Sequence, residues 1–400
     1  MAVKGIHPAG LDMGSERTRS VICLLENRRI RFLGYGDVKS QGWAKGRIAD
    51  QKAVADTVLA SLHEAERQAQ VSIEAAVVGA GGSAVRGGNS RGPIELGRPR
   101  EIEQRDVNRA VNRATFVQLA EDRMVLQVFP QDFVVDEHPG HRDPRGMMAS
   151  RLESNVYLIT TSTQEHNSLV GAVNQAHLSA EETVFEALAA CYAAVMPEDR
   201  KEGVAVVDIG AHSTELVAYY GDSLQLATSL PVCGDHFTRD LRRGLTVSYE
   251  DAESIKRQFG CAIVSTTAEN SLVELPAPEN RDPRETPRRV LNRILEARAL
   301  ELFEYVAREL KRVGMERSLL GGVVLAGGAA ALPGLCDMAE NVLGCQARKG
   351  LPTGIADWPE ELDNTAWTTA AGLAMYSAKL KEHTEEERHA GGLLGRILSR

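Results

Sequence analysis

Two segments place an aspartate at the end of a strand-like run and a glycine two residues later. They are Leu11-Asp12-Met13-Gly14-Ser15 and Val207-Asp208-Ile209-Gly210-Ala211-His212-Ser213. Each glycine opens a tight turn into another strand-like run, so each segment reads as a β-hairpin whose turn amides converge on one spot and form an anion nest. Asp12 and Asp208 stand beside those turns, where carboxylates suit a Mg2+ ion held through water. One such hairpin in each half of the chain could grip a polyphosphate from both sides. A third segment, Val323 to Leu332, ends a buried strand on Gly327-Gly328 and continues through Ala329. Paired glycines there let backbone approach a flat ligand closely. Any one of these turns alone is an ordinary strand connection; three in order, at comparable places in two halves, are specific.

The elements that must position these turns follow from periodicity. Strand patterns run through Ser20 to Leu25 and Ile30 to Gly36, and a helix with Val54, Val58, Leu59 and Leu62 on one face covers Gln51 to Gln70. A buried-strand pattern at Ile73 to Val78 leads to Gly79-Ala80-Gly81-Gly82. Residues 86–163 change character: Arg and Gly crowd Arg86 to Arg100, Gln104 to Leu119 reads as helix, and strand-like runs follow at Val125 to Phe129 and Val156 to Thr161. This is the composition of a small inserted αβ unit. A helix over Thr163 to His177 follows, and a second strand-rich half opens at Val204. Its helices are expected at Asp235 to Gly244, Tyr249 to Gly260 and Arg288 to Val313, with Leu275 to Pro287 as loop or irregular strand. Lys381 to His389 has a linker composition.

The 400 residues exceed what one hydrophobic core usually serves, so two or more lobes are expected. A net charge of −9 argues against non-specific nucleic-acid binding, which needs basic surface to neutralise phosphates. Six cysteines stand singly, with no Cys-x-x-Cys pair, which suits neither a zinc site nor a disulfide framework; reduced thiols in the cytosol are expected. Met1 to Gly10 lacks the apolar run of a signal peptide, and no apolar stretch of about 18 residues is present, so any membrane contact is expected to be peripheral.

The three glycine-rich segments resemble the phosphate-1, phosphate-2 and adenosine motifs of the actin-like ATPase superfamily. Val128-Phe129-Pro130-Gln131-Asp132-Phe133-Val134-Val135-Asp136, with Arg142 to Met147 and Arg151 to Thr160 after it, is similar to the signature of the inserted subdomain of the bacterial cell-division FtsA family. Gly42 to Asp50 resembles another stretch of that family, and the likeness covers residues 9–380. It implies an α/β, actin-like two-lobed fold with a duplicated ribonuclease-H-like core and an FtsA-type inserted subdomain. The implied division is 1–85 with 164–199 and 356–380 as first core, 86–163 as insert, and 200–244 with 315–355 as second core. Residues 245–314 become a nucleotide- and FtsZ-tail-binding subdomain, and 381–400 a linker with an amphipathic tail.

The same resemblance implies ATP and Mg2+ as cofactors. It assigns Asp12, Gly14, Ser15, Arg17, Asp208, Gly210, Ala211, His212, Ser213, Gly234, Gly327, Gly328 and Ala329 to the nucleotide. Asp12 and Asp208 act on the metal through water, and Glu253 and Lys256, one helical turn apart, contact ribose and adenine. A solvated ion pair is the alternative for those two. Glu186 matches a water-orienting acid of the chaperone relatives and reads equally as an exposed helix carboxylate.

The implied role is a filament-forming adaptor that tethers FtsZ, the tubulin-like division protein, to the inner face of the cell membrane at the division septum. Its implied partners are the FtsZ C-terminal peptide, further copies of itself, an anionic membrane surface and downstream division proteins, with no nucleic acid. Arg284, Arg288 and Arg298 match or adjoin the FtsZ-tail face. Leu393, Leu394, Ile397 and Leu398 form an apolar arc beside Arg396, which suits weak interfacial binding multiplied by filament formation.

The sequence departs from the superfamily pattern at five residues, of which Ser213 and Glu215 in phosphate-2 are conservative swaps. Ala211 and His212 replace glycines in the phosphate-2 turn, where a Cβ can crowd phosphate or demand other backbone angles. Arg17 replaces a lysine. For His212 a turn position facing solvent is the preferred reading, and a phosphate contact the other. Weak or absent ATP turnover is therefore expected. A pilus-assembly adaptor of the PilM kind and, further off, a superfamily phosphotransferase remain as alternative functions.

Overall fold

A computed structural model describes the backbone of residues 5–276 and 284–397, with side chains described through His383. The first core starts with β1 (Ala9–Met13), β2 (Arg17–Glu26) and β3 (Arg29–Lys39), then a small hairpin of β4 (Trp43–Ala44) and β5 (Arg47–Ile48). Helix α1 (Gln51–Ala69) and strand β6 (Ala75–Ala80) follow. Asp50 caps α1 by accepting from the amides of Lys52 and Ala53, and the helix ends on Gln70 in the left-handed region. The insert consists of β7 (Arg86–Glu101), α2 (Gln104–Thr115), β8 (Arg123–Val135), β9 (His138–His141) and β10 (Met148–Ser162). The chain then returns through α3 (Thr163–Gln175), β11 (Ser179–Phe185), α4 (Glu186–Ala194) and α5 (Pro197–Glu202).

The second core repeats the plan with β12 (Val204–Ile209), β13 (Thr214–Tyr220), β14 (Ser223–Leu230), α6 (Gly234–Leu245) and α7 (Tyr249–Phe259). A short pair, β15 (Leu272–Leu275) and β16 (Arg284–Pro287), precedes the long α8 (Arg288–Arg312). Then come β17 (Val323–Ala326), α9 (Leu335–Leu343), β18 (Ala347–Lys349) and the last helix, α10 (Thr368–Ile397).

Strand order shows the duplication directly. The first sheet runs β11-β6-β1-β2-β3, and the second begins β18-β17-β12-β13-β14. In each, a three-strand antiparallel meander carries two further strands added in parallel on the side of its first strand. The second sheet then continues, through the pairing of β14 with β7, into β7-β10-β8-β9 of the insert. The nine strands are one hydrogen-bonded surface.

The apolar interior joins the halves. One cluster takes Val77 from β6, Ile159 from β10, the alanine-rich α4, Val206 from β12, Val324 from β17 and Leu373 from α10. Small residues let α10 sit deep: a Cβ on Gly372 would lie 1.7 Å from the Ala189 carbonyl oxygen, and one on Gly10 would lie 2.4 Å from the Ala374 amide nitrogen. The insert has its own core around Ile102, Phe133, Val135 and Leu152.

Two elements differ from the sequence expectation. Arg86 to Arg100, with its Arg, Gly and Pro, is strand β7; it pairs with β10 from Thr160↔Arg86 to Met148↔Glu101, so non-local pairing outweighs its poor local propensity. The stretch of linker composition, Lys381 to His389, has a helical backbone as part of α10. Glu, Lys and Arg there are good helix formers, and no Pro interrupts them. Leu393, Leu394, Arg396 and Ile397 lie on the helical backbone with side chains outside the description, and Leu398 is outside the described residues. Among the described residues no helix is long and apolar enough to cross a membrane.

The insert rests on one buried carboxylate. Asp106 is fully buried, accepts from both terminal nitrogens of Arg100 at 2.7 and 2.6 Å, and accepts the Glu103 amide at 3.1 Å. Replacing Arg100 by Ala removes the two-pronged partner of that carboxylate and leaves it only the more exposed Arg109, 3.6 Å away. A loss of several degrees in melting temperature is expected by calorimetry, and no change would show that Asp106 does not need the arginine.

Candidate functional site

The two hairpins of the first paragraph face each other. β1 and β2 pair with Asp12 opposite Arg19, and β12 and β13 pair with Asp208 opposite Glu215. Directly paired residues of an antiparallel ladder project on one face. The first hairpin thus sets a cation beside its aspartate, and the second sets another acid. Asp12, Asp208 and Glu215 are buried, and Glu186 at the start of α4 lies against Gly81 and Glu215. Gly81 is glycine for this reason: a Cβ there would stand 2.4 Å from Glu186 Oε2 and 2.7 Å from Glu215 Oε1. The Gly82 amide donates to Glu215 Oε1 at 2.8 Å.

Four acids gathered in one cleft are all pushed above their ordinary values. Burial pushes Asp12 up to about 7 against the pull of Arg19, with Asp208 and Asp37 adding to the rise. Burial and the nearby Asp208 carry Glu215 to about 7 despite its bond from Gly82. Glu186 is raised well above the carboxylate range, first by burial and then by Glu215, Asp12 and Asp208. Asp208 is raised by burial, offset by a hydrogen bond from Thr369 Oγ1 at 2.6 Å and by Arg19. The group is short of positive charge. Among the described residues no three acids, histidines or cysteines are arranged to ligate a metal directly.

The remaining predicted residues fall as follows. Ser15 Oγ and His212 Nδ1 are hydrogen-bonded at 2.9 Å, so the two phosphate turns touch; the histidine reaches across the cleft instead of simply facing solvent. Neither Ala211 nor His212 is in the left-handed region, so this turn does not need glycine. The turn is fixed by Gly210 N donating to Ser213 O at 2.9 Å, and it is tied to α6 by the Gly234 and Asp235 amides donating to Gly210 O and Ala211 O at 2.9 and 2.8 Å. Gly327, with φ +84°, passes so close to Asp208 that a Cβ would lie 2.3 Å from its Oδ1, whereas Gly328 is open, with nothing nearer than Ala366 Cβ at 4.0 Å. Ala329 packs beside Gly234.

Glu253 and Lys256 form a 2.6 Å ion pair that shares Thr238 Oγ1, bonded at 2.5 Å by Glu253 and 2.8 Å by Lys256, and Lys256 also reaches Gly234 O. The pair is half-buried and built into the α6–α7 contact, not a solvated surface pair. Arg17 turns away to Asp37, with Nε to Oδ1 at 2.6 Å. Arg19, unassigned from sequence, is the cation near the aspartates; it also stacks over Trp367 at 5.3 Å. Glu186 lines a cavity of about 360 Å³ with Met13, Gly14, Ser15, Gly81, Gly82, His212 and Ser213, and so is not an exterior helix carboxylate. Sequence reasoning left Arg19, Glu215, Gly81, Gly82 and Thr369 out of the site. For Arg19 and Glu215 the signal was the hairpin register, which sets them opposite the two aspartates.

The arginines proposed for a peptide are engaged within the chain. Arg284 donates to Leu245 O, Arg288 Nε donates to Phe259 O at 2.6 Å, and Arg298 pairs with Asp240 at 2.6 Å and with Glu301.

Twin meanders meeting at facing aspartate hairpins define an actin-like protein. Solved structures agree: the "PilM-PilN type IV pilus biogenesis complex" covers 94% of this chain and 99% of its own at 18% identity with TM-score 0.68. MreB5 of Spiroplasma citri bound to ADP covers 95% and 98% at 12% identity with TM-score 0.57. The model described as "Cell division protein FtsA" matches residues 205–372, and "SHS2 domain inserted in FTSA" matches 82–160. The cell division protein FtsA of Borreliella burgdorferi is 33% identical over 92% of this chain and 90% of its own length. That of Escherichia coli K12 is 30% identical over 98% and 95%. The chain belongs to the FtsA family of cell-division proteins.

Proposed function

We propose that the chain binds ATP with Mg2+ in this cleft and acts as a filament-forming adaptor holding the FtsZ ring to the inner face of the cell membrane at the septum. The observation that carries the nucleotide part is the pair of facing hairpins with buried acids beside them and too little positive charge to balance them. The residues present fit the ligand. Gly14, Ser15 and the turn at 210–213 would take the phosphates, Asp12 and Asp208 would hold the ion through water, and Gly327–Ala329 beside Gly234, Glu253 and Lys256 would take adenosine. Mg2+ supplies the charge that lets the aspartates ionise and the phosphates approach them. Burial and the neighbouring Glu215, Asp12 and Asp208 raise Glu186 well above its ordinary value, which makes it a poor carboxylate base for water in this setting. This supports weak or absent turnover.

The family supports the tethering role, and the domain division set out from the sequence is the one we propose. A carboxylate-bearing FtsZ tail would meet Arg284, Arg288 and Arg298 and would have to displace Asp240 and Glu301 from Arg298. Leu393, Leu394, Arg396, Ile397 and Leu398 would meet anionic lipid, once per protomer and many times per filament. The test is co-sedimentation of full-length protein and a truncation ending at Ala390 with anionic liposomes and the FtsZ C-terminal peptide, with and without Mg-ATP. Pelleting that carries the peptide and needs both ATP and residues 391–400 is expected. Protein that stays soluble and ignores the peptide would overturn the tether in favour of a PilM-like adaptor.

A further inference from the structure

The hydrogen bond between Ser15 and His212 divides the cleft. On one side stand Gly234, Glu253, Lys256 and Gly328; on the other lies the 360 Å³ cavity, which Ser15 and His212 line and those four residues do not. A phosphate chain that started beside Gly328 and ran between the hairpins would meet this bond. Beyond His212 sits the β4–β5 hairpin. A Cβ on Gly46 would lie 3.0 Å from His212 Cβ, so the imidazole's base rests on that glycine. Arg47 next to it is paired with Glu165 of α3 at 3.0 Å, which holds the hairpin over the cavity.

We propose that His212 distinguishes a nucleoside triphosphate from a diphosphate in this cleft and passes the difference to the β4–β5 hairpin. A terminal phosphate takes the place of the Ser15–His212 bond and is contacted by both side chains, whereas a diphosphate is too short and leaves the bond in place. Displaced from Ser15, the imidazole presses on Gly46, where no side chain absorbs the movement, and the hairpin shifts against α3. Glycine at 212, the superfamily's residue, offers neither the contact nor the push. This inference rests on the nucleotide reading above.

The test combines calorimetric titration of Mg-ADP and the non-hydrolysable Mg-AMPPNP with hydrogen exchange of amides 42–50, on full-length wild type, His212→Gly and His212→Asn. In wild type the triphosphate is expected to bind about tenfold tighter than the diphosphate, the value of one hydrogen bond to a charged group. Exchange at 42–50 is expected to differ between the two nucleotides. His212→Gly should bring the two affinities within about threefold and erase the exchange difference. His212→Asn, which keeps a donor, should restore part of the preference. If wild type binds neither nucleotide, the nucleotide reading falls and this inference with it. If wild type binds both but His212→Gly keeps the preference, or the hairpin exchanges alike with both, the inference alone is overturned.

Discussion

Asp208→Asn should strongly weaken Mg-dependent nucleotide binding while making the ligand-free protein more stable at pH 8. Asp208 is buried among Asp12, Glu186 and Glu215, with Arg19 as the cation acting on it. The amide keeps the shape and the bond with Thr369 but cannot hold the waters of a cation, so the affinity for Mg-nucleotide is expected to fall about 100-fold, near 3 kcal/mol. Stability moves the other way because an ionised form has been removed from a dry, acidic site.

The pH window follows from the same group. Below about pH 4 these acids are protonated in both the folded and the unfolded chain. Asp12 and Glu215 titrate near 7 when folded, so between about 4 and 7 the folded chain keeps protons that the unfolded chain has released, and stability falls as pH rises. Above about 7 that loss is complete. Thermal melts of the ligand-free protein at pH 5.5 and pH 8 should therefore show a higher melting temperature at the lower pH. Asp208→Asn, which relieves its neighbours, should narrow the gap, and Mg-nucleotide should do the same in wild type. A melting temperature that rises with pH, or an Asp208→Asn protein less stable than wild type at pH 8, would refute this account.

The second large effect is purely steric. Gly372→Ala adds a methyl group 1.7 Å from the Ala189 carbonyl oxygen, where helices α4 and α10 cross. The obstacle is backbone in a packed interior, so neither helix can yield by a rotamer change. A loss on the order of 3 kcal/mol is expected, or about 3–4 °C in melting temperature for a chain of this length. Gly88→Ala is the matched control: nothing lies within 4 Å of its added methyl and its φ is not positive, so its cost should stay within about 0.5 kcal/mol. Equal melting temperatures for the two variants would show that α10 can shift away from α4.

The parts of this structure legible from sequence are those set by local chemistry. Glycine after aspartate marked both hairpins, and helical periodicity with good end signals placed α1, α3 and α8 within two residues. What was not legible depends on residues far apart in the chain. β7 has no strand signature because its partner β10 lies more than forty residues on. Thr369 belongs to the site only because α10 returns to β12 from 161 positions away. Arg17 was expected at phosphate, but β3 brings Asp37 to it at 2.6 Å. Arg19 and Glu215 stood in plain view; they needed the hairpin register, counted outward from each turn, to be seen opposite the aspartates.

The shared nine-stranded sheet gives the insert a mechanical role. Its strands enter from β6 and leave into α3, so the insert is covalently part of the first core. It is nevertheless hydrogen-bonded to the second core where Arg86 pairs with Thr228, where Gln131 Nε2 donates to Leu224 O at 2.7 Å, and where Arg142 donates to Gly221 O. A body hung from one lobe and pinned to the other would work as a crank, turning a small change of angle at the cleft into a larger sweep at β9, the outermost strand of the sheet. Any neighbour gripping that edge would feel the state of the cleft as a change of pitch.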